Sequence, residues 1–370
     1  MSAETWYLSL VTGERRGLVA TIVRAGLWII SLAYGCVIRV RNKYYDKLAM
    51  LHWLDAPVIS VGNLTVGGTG KTPMTHWLCQ RLLDRGRKPA VLSRGYKAAP
   101  EGQADELLLT SRRVPEAVTI AHANRAAAGA LAVAEYGARA IVLDDGFQHR
   151  RVGRDLDIVL IDATCPFGFG AILPRGLLRE PVSSLRRADA VVITRHDQVD
   201  SVALEAIRST VQQHRPDAVI VQASHRPIGF VDIEGREAQP PAGRVGVFCG
   251  IARPDAFEAT LASTGLTLAG SRHFDDHHAY DEADIAAIND WVRTRGFGAL
   301  VTTEKDAVKL AALGSKCSVP IFVLRIELAM SEQDEVALTS MIDEMLEEHE
   351  STETGNEIEE TSNHDSTERD

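Results

Sequence analysis

Gly67 to Thr72 read G-G-T-G-K-T, inside the longer run Gly62-Asn63-Leu64-Thr65-Val66-Gly67-Gly68-Thr69-Gly70-Lys71-Thr72. Residues of these types at this spacing suit a polyphosphate. Glycines let backbone N–H groups turn inward where a Cβ would clash. A lysine reaches the outer phosphates, and the threonine hydroxyl is offered to Mg²⁺. Thr65 stands where the usual phosphate loop has a glycine five residues before Gly70, and Gly67 and Gly68 relax the middle of the loop instead. Gly68-Thr69-Gly70 also reads as the start of a dinucleotide fingerprint, but Pro73 occupies that motif's third position, and the motif has no use for Lys71-Thr72. Nucleotide phosphates are the expected ligand.

Four further clusters could carry chemistry. Ala140 to Leu143 is an apolar run that delivers Asp144 and Asp145 at its end, where a phosphate-loop protein holds Mg²⁺ or its waters. Alone, this pattern also fits a cap or turn. Phe147-Gln148-His149 continues past it, placing His149 to enter the same crevice. In Ser93-Arg94-Gly95-Tyr96, Arg94 could meet phosphate and Tyr96 could stack or hydrogen-bond, and a plain surface turn explains the residues as well. Asp105-Glu106 precedes an apolar run and by itself fits a solvated pair. Phe274-Asp275-Asp276-His277-His278 admits a metal site, a capped helix start, or a histidine held by a carboxylate and aimed at a phosphoryl-transfer site.

The elements that position these groups alternate. Pro57 to Gly62 reads as a strand, Pro73 to Leu83 as a helix, and Pro89–Arg94, Val118–Ala121, Ala140–Asp145, Asp157–Asp162 and Ala188–Thr194 as further strands, with an alanine-rich helix over Asn124–Tyr136. Such alternation predicts a parallel sheet with helices on both faces and a ligand at the carboxyl ends of its strands. The proline-bearing stretch Arg226 to Gly243 reads as a boundary. Beyond it, Arg244–Gly250, Ala299–Thr303 and Val319–Arg325 read as strands, and Asp255–Thr264, Asp281–Arg295 and Lys305–Leu313 as helices of a smaller α/β domain. The expected division is 1–50 for an N-terminal membrane-associated helix region, 51–225 for the phosphate-loop domain, 226–345 for the smaller domain and 346–370 for a disordered acidic tail.

A chain of 370 residues that is 45% hydrophobic can fill two cores, which excludes a disordered or fibrous protein. Its net charge of -10 is concentrated at one end: Asp343 to Asp370 holds 12 acids against Arg369, a net of -11, leaving the rest near +1. The body therefore has no overall attraction for nucleic acid. Five cysteines without C-x-x-C spacing read as buried, reduced thiols of a cytosolic protein. Residues 17 to 38 are mostly apolar, with Arg15 and Arg16 before them and Arg39, Arg41, Lys43 and Lys47 after. Arg24 within the run favours a helix lying at a membrane interface, where Trp28, Tyr34 and the flanking bases suit an anionic leaflet. A buried core helix and a membrane span are the alternatives.

Taken in order, V-G-N-L-T-V-G-G-T-G-K-T-P, S-R-G-Y, D-D-G-F-Q-H, L-P-R-G-L-L-R-E-P, D-H-H and T-E-K-D-A-V-K closely resemble the tetraacyldisaccharide 4'-kinase family of lipid A synthesis, over about residues 10 to 328. The resemblance implies transfer of a phosphoryl group from ATP, with Mg²⁺, to the 4'-hydroxyl of a tetraacylated disaccharide 1-phosphate, at the cytoplasmic face of a Gram-negative inner membrane. It implies a P-loop domain joined to a smaller domain, with an N-terminal helix at the membrane; a monomer is the expected state. It makes Thr65, Val66, Gly67, Gly68, Thr69, Gly70, Lys71 and Thr72 the ATP loop. Thr72, Asp144 and Asp145 become the Mg²⁺ groups, and Arg94, Tyr96, His149, Arg179, Glu180 and Lys305 become lining residues. Asp105 becomes the base, with His277 from the smaller domain raising its effective basicity and orienting it.

Three features depart from the family pattern: Ala104-Asp105-Glu106-Leu107 replaces G-D-E-P, Arg175 in Leu173-Pro174-Arg175-Gly176 adds a base near the expected acceptor, and the acidic tail is additional. A membrane-associated P-loop switch is the competing reading. It lacks an N-K-x-D guanine motif, Thr303-Glu304-Lys305-Asp306 being nearest. A kinase for a soluble small molecule is disfavoured by residues 17 to 38.

Overall fold

The computed structural model describes residues 3–47, 50–95, 105–311 and 313–367. Its strands are β1 (Val58–Asn63), β2 (Pro89–Ser93), β3 (Val118–Ala121), β4 (Ala140–Asp144), β5 (Leu156–Asp162), β6 (Ala190–Thr194), β7 (Val219–Asp232), β8 (Glu237–Ala238), β9 (Val245–Cys249), β10 (Leu268–His273), β11 (Ala299–Thr303) and β12 (Ile321–Met330). The helices are α1 (Ala3–Val11), α2 (Leu18–Lys47), α3 (Lys71–Asp84), α4 (Asp105–Arg113), α5 (Arg125–Ala134), α6 (Ser201–His214), α7 (Pro254–Ala262), α8 (Glu282–Arg295), α9 (Glu304–Leu310) and α10 (Glu332–Thr367).

All the strands belong to one sheet, ordered β10-β9-β11-β12-β7-β6-β5-β1-β4-β2-β3, with β8 paired to β7. Strand residues alternate between two cores, as a period of two requires when both faces are covered. Ala140 and Val142 of β4 meet Met74, Leu78 and Leu82 of α3 on one face, while Ile141 and Leu143 meet Ala128 and Ala132 of α5 on the other.

The expected boundary at 226 lies inside β7. Residues 219–223 of that strand pair parallel with β6, and its continuation to Asp232 pairs antiparallel with β12. Pro227, which suggested a break, is tolerated because the β7–β12 register shifts between Arg325 and Ile326, opposite it. The same pairing sets the architecture. β6 ends beside Ala223 while β12 begins beside Asp232 and runs back, so the two parallel halves are offset along the β7–β12 pair and their carboxyl ends face one crevice.

α2 is not a core helix. Ser31, Gly35, Ile38 and Asn42 form a docked seam. Ser31 Oγ donates to Ile172 O at 2.8 Å and Tyr34 OH to Arg179 O at 3.1 Å. Leu18, Val19, Ile22, Trp28, Ile29, Ile30, Val37 and Val40 remain exposed, and the helix is long and apolar enough to cross a membrane. Arg24 turns back to Arg15 O at 2.8 Å. Of the cysteines, Cys79 and Cys249 are buried but Cys36 on α2 is exposed.

The tail expected to be disordered from 346 instead continues α10. Leu338, Ile342, Met345 and Leu346 pack into the α3 core. Once that turn is fixed, each further residue adds a bond without a new nucleus.

Candidate active site

Gly70 takes φ 90°, a left-handed conformation that costs glycine nothing, and so turns the loop into α3 at Lys71. Gly62 permits a second close approach, since a Cβ there would lie 2.6 Å from Phe147 Cβ. Lys71 Nζ points back along the loop, 3.4 Å from Asn63 Oδ1 and 3.5 Å from Asp145 Oδ1. Thr72 is in the first turn of α3 and partly exposed. Thr65 makes a β-bridge to Leu178, and Val66 N donates to Leu177 O at 2.8 Å. That pairing holds the loop where the usual glycine is missing.

β4 runs beside β1, so its two terminal acids arrive next to the loop. Asp144 is buried, and burial, with Asp145 and Glu106 adding to it against Lys71 and Arg125, raises its carboxyl to about 6. Burial also disfavours the charge on Asp145, but Lys71, Arg179 and Arg125 outweigh it and hold that carboxyl well below the usual range. Arg179 Nη1 lies 2.6 Å from Asp145 Oδ2. Asp144 Oδ1 is buried without a hydrogen-bond partner, and Asp145 Oδ1, likewise buried, has only the Lys71 ammonium 3.5 Å away. Two hard oxygens so placed beside a phosphate loop fit Mg²⁺, which takes one or two protein carboxylates and completes its shell with phosphates and water.

Across the crevice, His277 adopts φ 62°, uncommon for a side chain with a Cβ, with its N–H given to Gly250 O at 3.2 Å. Its Nδ1 lies 3.8 Å from Asp105 Oδ2 at the start of α4, and its Nε2 lies 3.1 Å from Lys305 Nζ. Lys309 Nζ lies 3.6 Å from Asp105 Oδ2, and Lys305 Nζ 3.3 Å from Glu106 Oε1. His278, the alternative to His277, is turned away to Asp284 Oδ2 at 2.7 Å. One expectation is corrected here. Burial tends to raise the Asp105 pKa, but His277, Lys309 and Lys305 outweigh it and lower the value, so its neighbours keep Asp105 ionised rather than make it more basic.

Other expected lining residues divide. Arg94 is exposed at the end of β2, and Tyr96 falls outside the described residues. His149 sits among arginines; burial first, then Arg125, Arg154, Arg151 and Arg41, lowers its pKa to about 4, so it is neutral at pH 7. Glu180 does not line the crevice: its side chain is 0% exposed and is held by Asn42 Nδ2 and Arg187 Nη2, each at 3.0 Å. Arg175 donates to Val11 O at 3.3 Å and so serves the docking of the N-terminal helices.

Several contributors are not legible from motif reading. Arg125 gives its guanidinium to the carbonyls of Asp144 (2.7 Å) and Asp145 (3.2 Å), and Gln148 Nε2 donates to Asn63 O at 2.8 Å. Ala252, after β9, covers the loop, 3.7 Å from where a Gly68 Cβ would be. Arg113 fixes α4 from its far end through Ile326 O at 2.9 Å and Glu304 at 3.6 Å. The acid in Thr303-Glu304-Lys305-Asp306 could have signalled its part: Asp306 is fully buried and accepts from Gly250 N, Thr303 Oγ1 and Tyr280 OH.

A family model described as tetraacyldisaccharide-1-P 4'-kinase matches residues 23–347. The tetraacyldisaccharide 4'-kinase of Anaeromyxobacter sp. is 46% identical over 328 residues, 83% of this chain and 86% of that one. Its counterpart in Geobacter sulfurreducens is 37% identical over 368 residues, 94% of this chain and 100% of that one. Among solved structures, the "apo" form of LpxK from Aquifex aeolicus in complex with ATP is similar, with a TM-score of 0.67 and 27% identity over 88% of this chain and 99% of that one.

Proposed function

The chain belongs to the tetraacyldisaccharide-1-P 4'-kinase family, and from that premise we propose how its own residues carry out the reaction. The enzyme transfers a phosphoryl group from ATP to the 4'-hydroxyl of a tetraacyldisaccharide 1-phosphate, a step in lipid A biosynthesis. In our reading residues 65–72 cradle the ATP phosphates, with Lys71 leaving Asp145 for the outer phosphates. Thr72, Asp144 and Asp145 would hold Mg²⁺, which when bound would neutralise phosphate charge.

The observation that carries the reading is the convergence of two acid sets on one crevice. Asp144 and Asp145 stand at the loop, and Asp105 stands apart from them with His277. A sugar hydroxyl needs help losing its proton, and the metal acids cannot provide it. Asp105 takes the 4'-hydroxyl proton as the oxygen–phosphorus bond forms and the bond to the ADP oxygen breaks. His277 and Lys309 keep the carboxylate ionised and aimed. Arg179, Arg94 and His149 surround the transferring phosphate and the acceptor, and Lys305 holds His277. The P-loop switch is disfavoured because Asp306, the acid that would read guanine, is buried in structural bonds.

The exposed apolar face of α2, with Arg39, Lys43 and Lys47 exposed near its end, supports peripheral or monotopic attachment to the anionic cytoplasmic leaflet, where the lipid acceptor and ATP meet. Incubating the purified protein with Mg-ATP and the disaccharide lipid, then weighing the product by mass spectrometry, should reveal one added phosphate. An unmodified lipid would overturn the assignment.

A further inference from the structure

Thr194, the last residue of β6, and Arg195, which follows it, are two buried residues that the reaction does not use. Both turn toward the phosphate loop. Thr194 Oγ1 donates to Thr69 O at 2.9 Å, and Arg195 Nη1 donates to Gly68 O at 3.0 Å. Arg195 itself has φ 54°, and the same Nη1 lies 2.6 Å from Asp162 Oδ2 at the end of β5. Behind the next residue stands His225, whose Nε2 would be 2.8 Å from a Cβ on Gly70.

These contacts have a directional consequence. In a trans peptide the N–H points opposite to the C=O. Drawing the Thr69 carbonyl toward β6 therefore directs the Gly70 N–H away from β6, toward the open side of the loop. Drawing the Gly68 carbonyl the same way closes a tight turn, in which Thr69 N donates to Gly67 O at 3.1 Å. Gly70 N–H then joins the unpaired amides of the first turn of α3, the natural donors for an anion. The other flank of the loop is tied through Val66 N to Leu177 O and Arg179 N to Leu64 O. A loop lacking its first glycine is thus held from outside as well as by its own glycines.

We infer that Arg195 and Thr194 are positioning residues for ATP, holding two phosphate-loop carbonyls backward so that the turn at Gly67–Thr69 is fixed and the Gly70 amide faces the phosphates before nucleotide arrives. The inference rests on the reading of residues 65–72 as the ATP loop. Asp162 is the counter-charge that lets Arg195 be buried, and Arg253 Nε, from the crevice's other wall, stands 4.0 Å from the same carboxylate oxygen. The clamp therefore touches both halves of the sheet.

The test is calorimetric titration of the full-length, detergent-solubilised protein with Mg-ATP, alongside steady-state kinetics in each substrate. Arg195→Met should raise the Kd and KM for ATP roughly tenfold or more, the scale of a lost charged hydrogen bond, with the lipid KM unchanged. Arg195→Lys should recover part of the loss. Thr194→Val, nearly identical in shape, should weaken ATP severalfold, and it decides the question by the same readout if Arg195→Met does not fold. Normal ATP affinity in the folded variants, or an equal rise in the lipid KM, would overturn the inference. Failure of the unmodified protein to bind Mg-ATP would instead overturn the loop assignment on which the inference stands.

Discussion

Lys305 Nζ lies 3.1 Å from His277 Nε2, and because an ammonium group can only donate, this contact uses Nε2 as an acceptor and leaves Nδ1, the nitrogen facing Asp105, as the ring's donor. The 3.8 Å gap between Nδ1 and Asp105 is longer than a hydrogen bond, as is common before substrates draw such a pair together. On the proposed assignment, Asp105→Ala and His277→Ala should each lower kcat by roughly 10²-fold or more. The double variant should be little worse than either, because members of one unit are not additive. Steady-state kinetics of the three variants check this, and fully multiplicative losses would return His277 to a structural role.

Lys71 is paired with Asp145 in the free protein, so its removal strips a charge from the phosphates without opening a void in the core. Lys71→Ala should lower kcat by roughly 10²-fold or more, while the far-ultraviolet circular dichroism stays that of the parent. Retention of most of the activity would contradict the loop assignment.

The Asp144 carboxyl, raised to about 6 by burial, makes opposite predictions for stability and activity. Because its folded pKa exceeds the unfolded value near 3.9, its favourable protonated state is fully present below about pH 4 and is lost as pH rises through 6. Free of ligand, Asp144→Asn should therefore melt at a higher temperature than the parent at pH 7.5, with the gain vanishing near pH 4. Turnover should nonetheless collapse in the variant, and the acid limb of kcat/KM for Mg-ATP in the parent should fall near pH 6. A variant less stable than the parent at pH 7.5 would show that the carboxylate is better satisfied than its burial implies.

Ile22 and Ile29 are 61% and 65% exposed on α2, away from the Ser31–Gly35–Ile38–Asn42 seam. Replacing both with serine leaves the docking intact and removes about 2 kcal/mol of transferable apolar surface per side chain. Co-sedimentation with phosphatidylglycerol-containing vesicles should drop roughly tenfold or more, whereas turnover of a detergent-dispersed acceptor should hold. Unchanged sedimentation would argue that this face meets something other than lipid.

Leu338 and Ile342 are completely buried against α3, so Leu338→Ala and Ile342→Ala should each cost about 2–4 kcal/mol in denaturant unfolding. Truncation after Glu350 should change neither stability nor rate by much, since Leu346 is the last buried position of α10 among the residues whose burial is described.

The strands and the chemistry at their ends were legible because both are local. Alternating apolar runs bounded by glycine, proline and acids define β1, β2, β4 to β6 and β9, and G-G-T-G-K-T and Asp144-Asp145 stand at the ends of two of them as residue types suited to phosphate and Mg²⁺. β7 was hidden because its middle, residues 226–229, is mostly exposed and carries Pro227, features that suggest a linker until β12 is laid beside it. Glu180 shows the same limit from the other side: within L-P-R-G-L-L-R-E-P it looks available for chemistry, and only docking of Asn42 and Arg187 consumes it. Meeting Asp105 and His277, 172 positions apart in the chain, required the antiparallel β7–β12 pair to turn two sets of strand ends toward each other. That pairing, together with the hold of Thr194 and Arg195 on the loop carbonyls, is a sum of long-range hydrogen bonds and packing. Such contacts leave no periodic trace in the sequence and are decided only when the sheet closes.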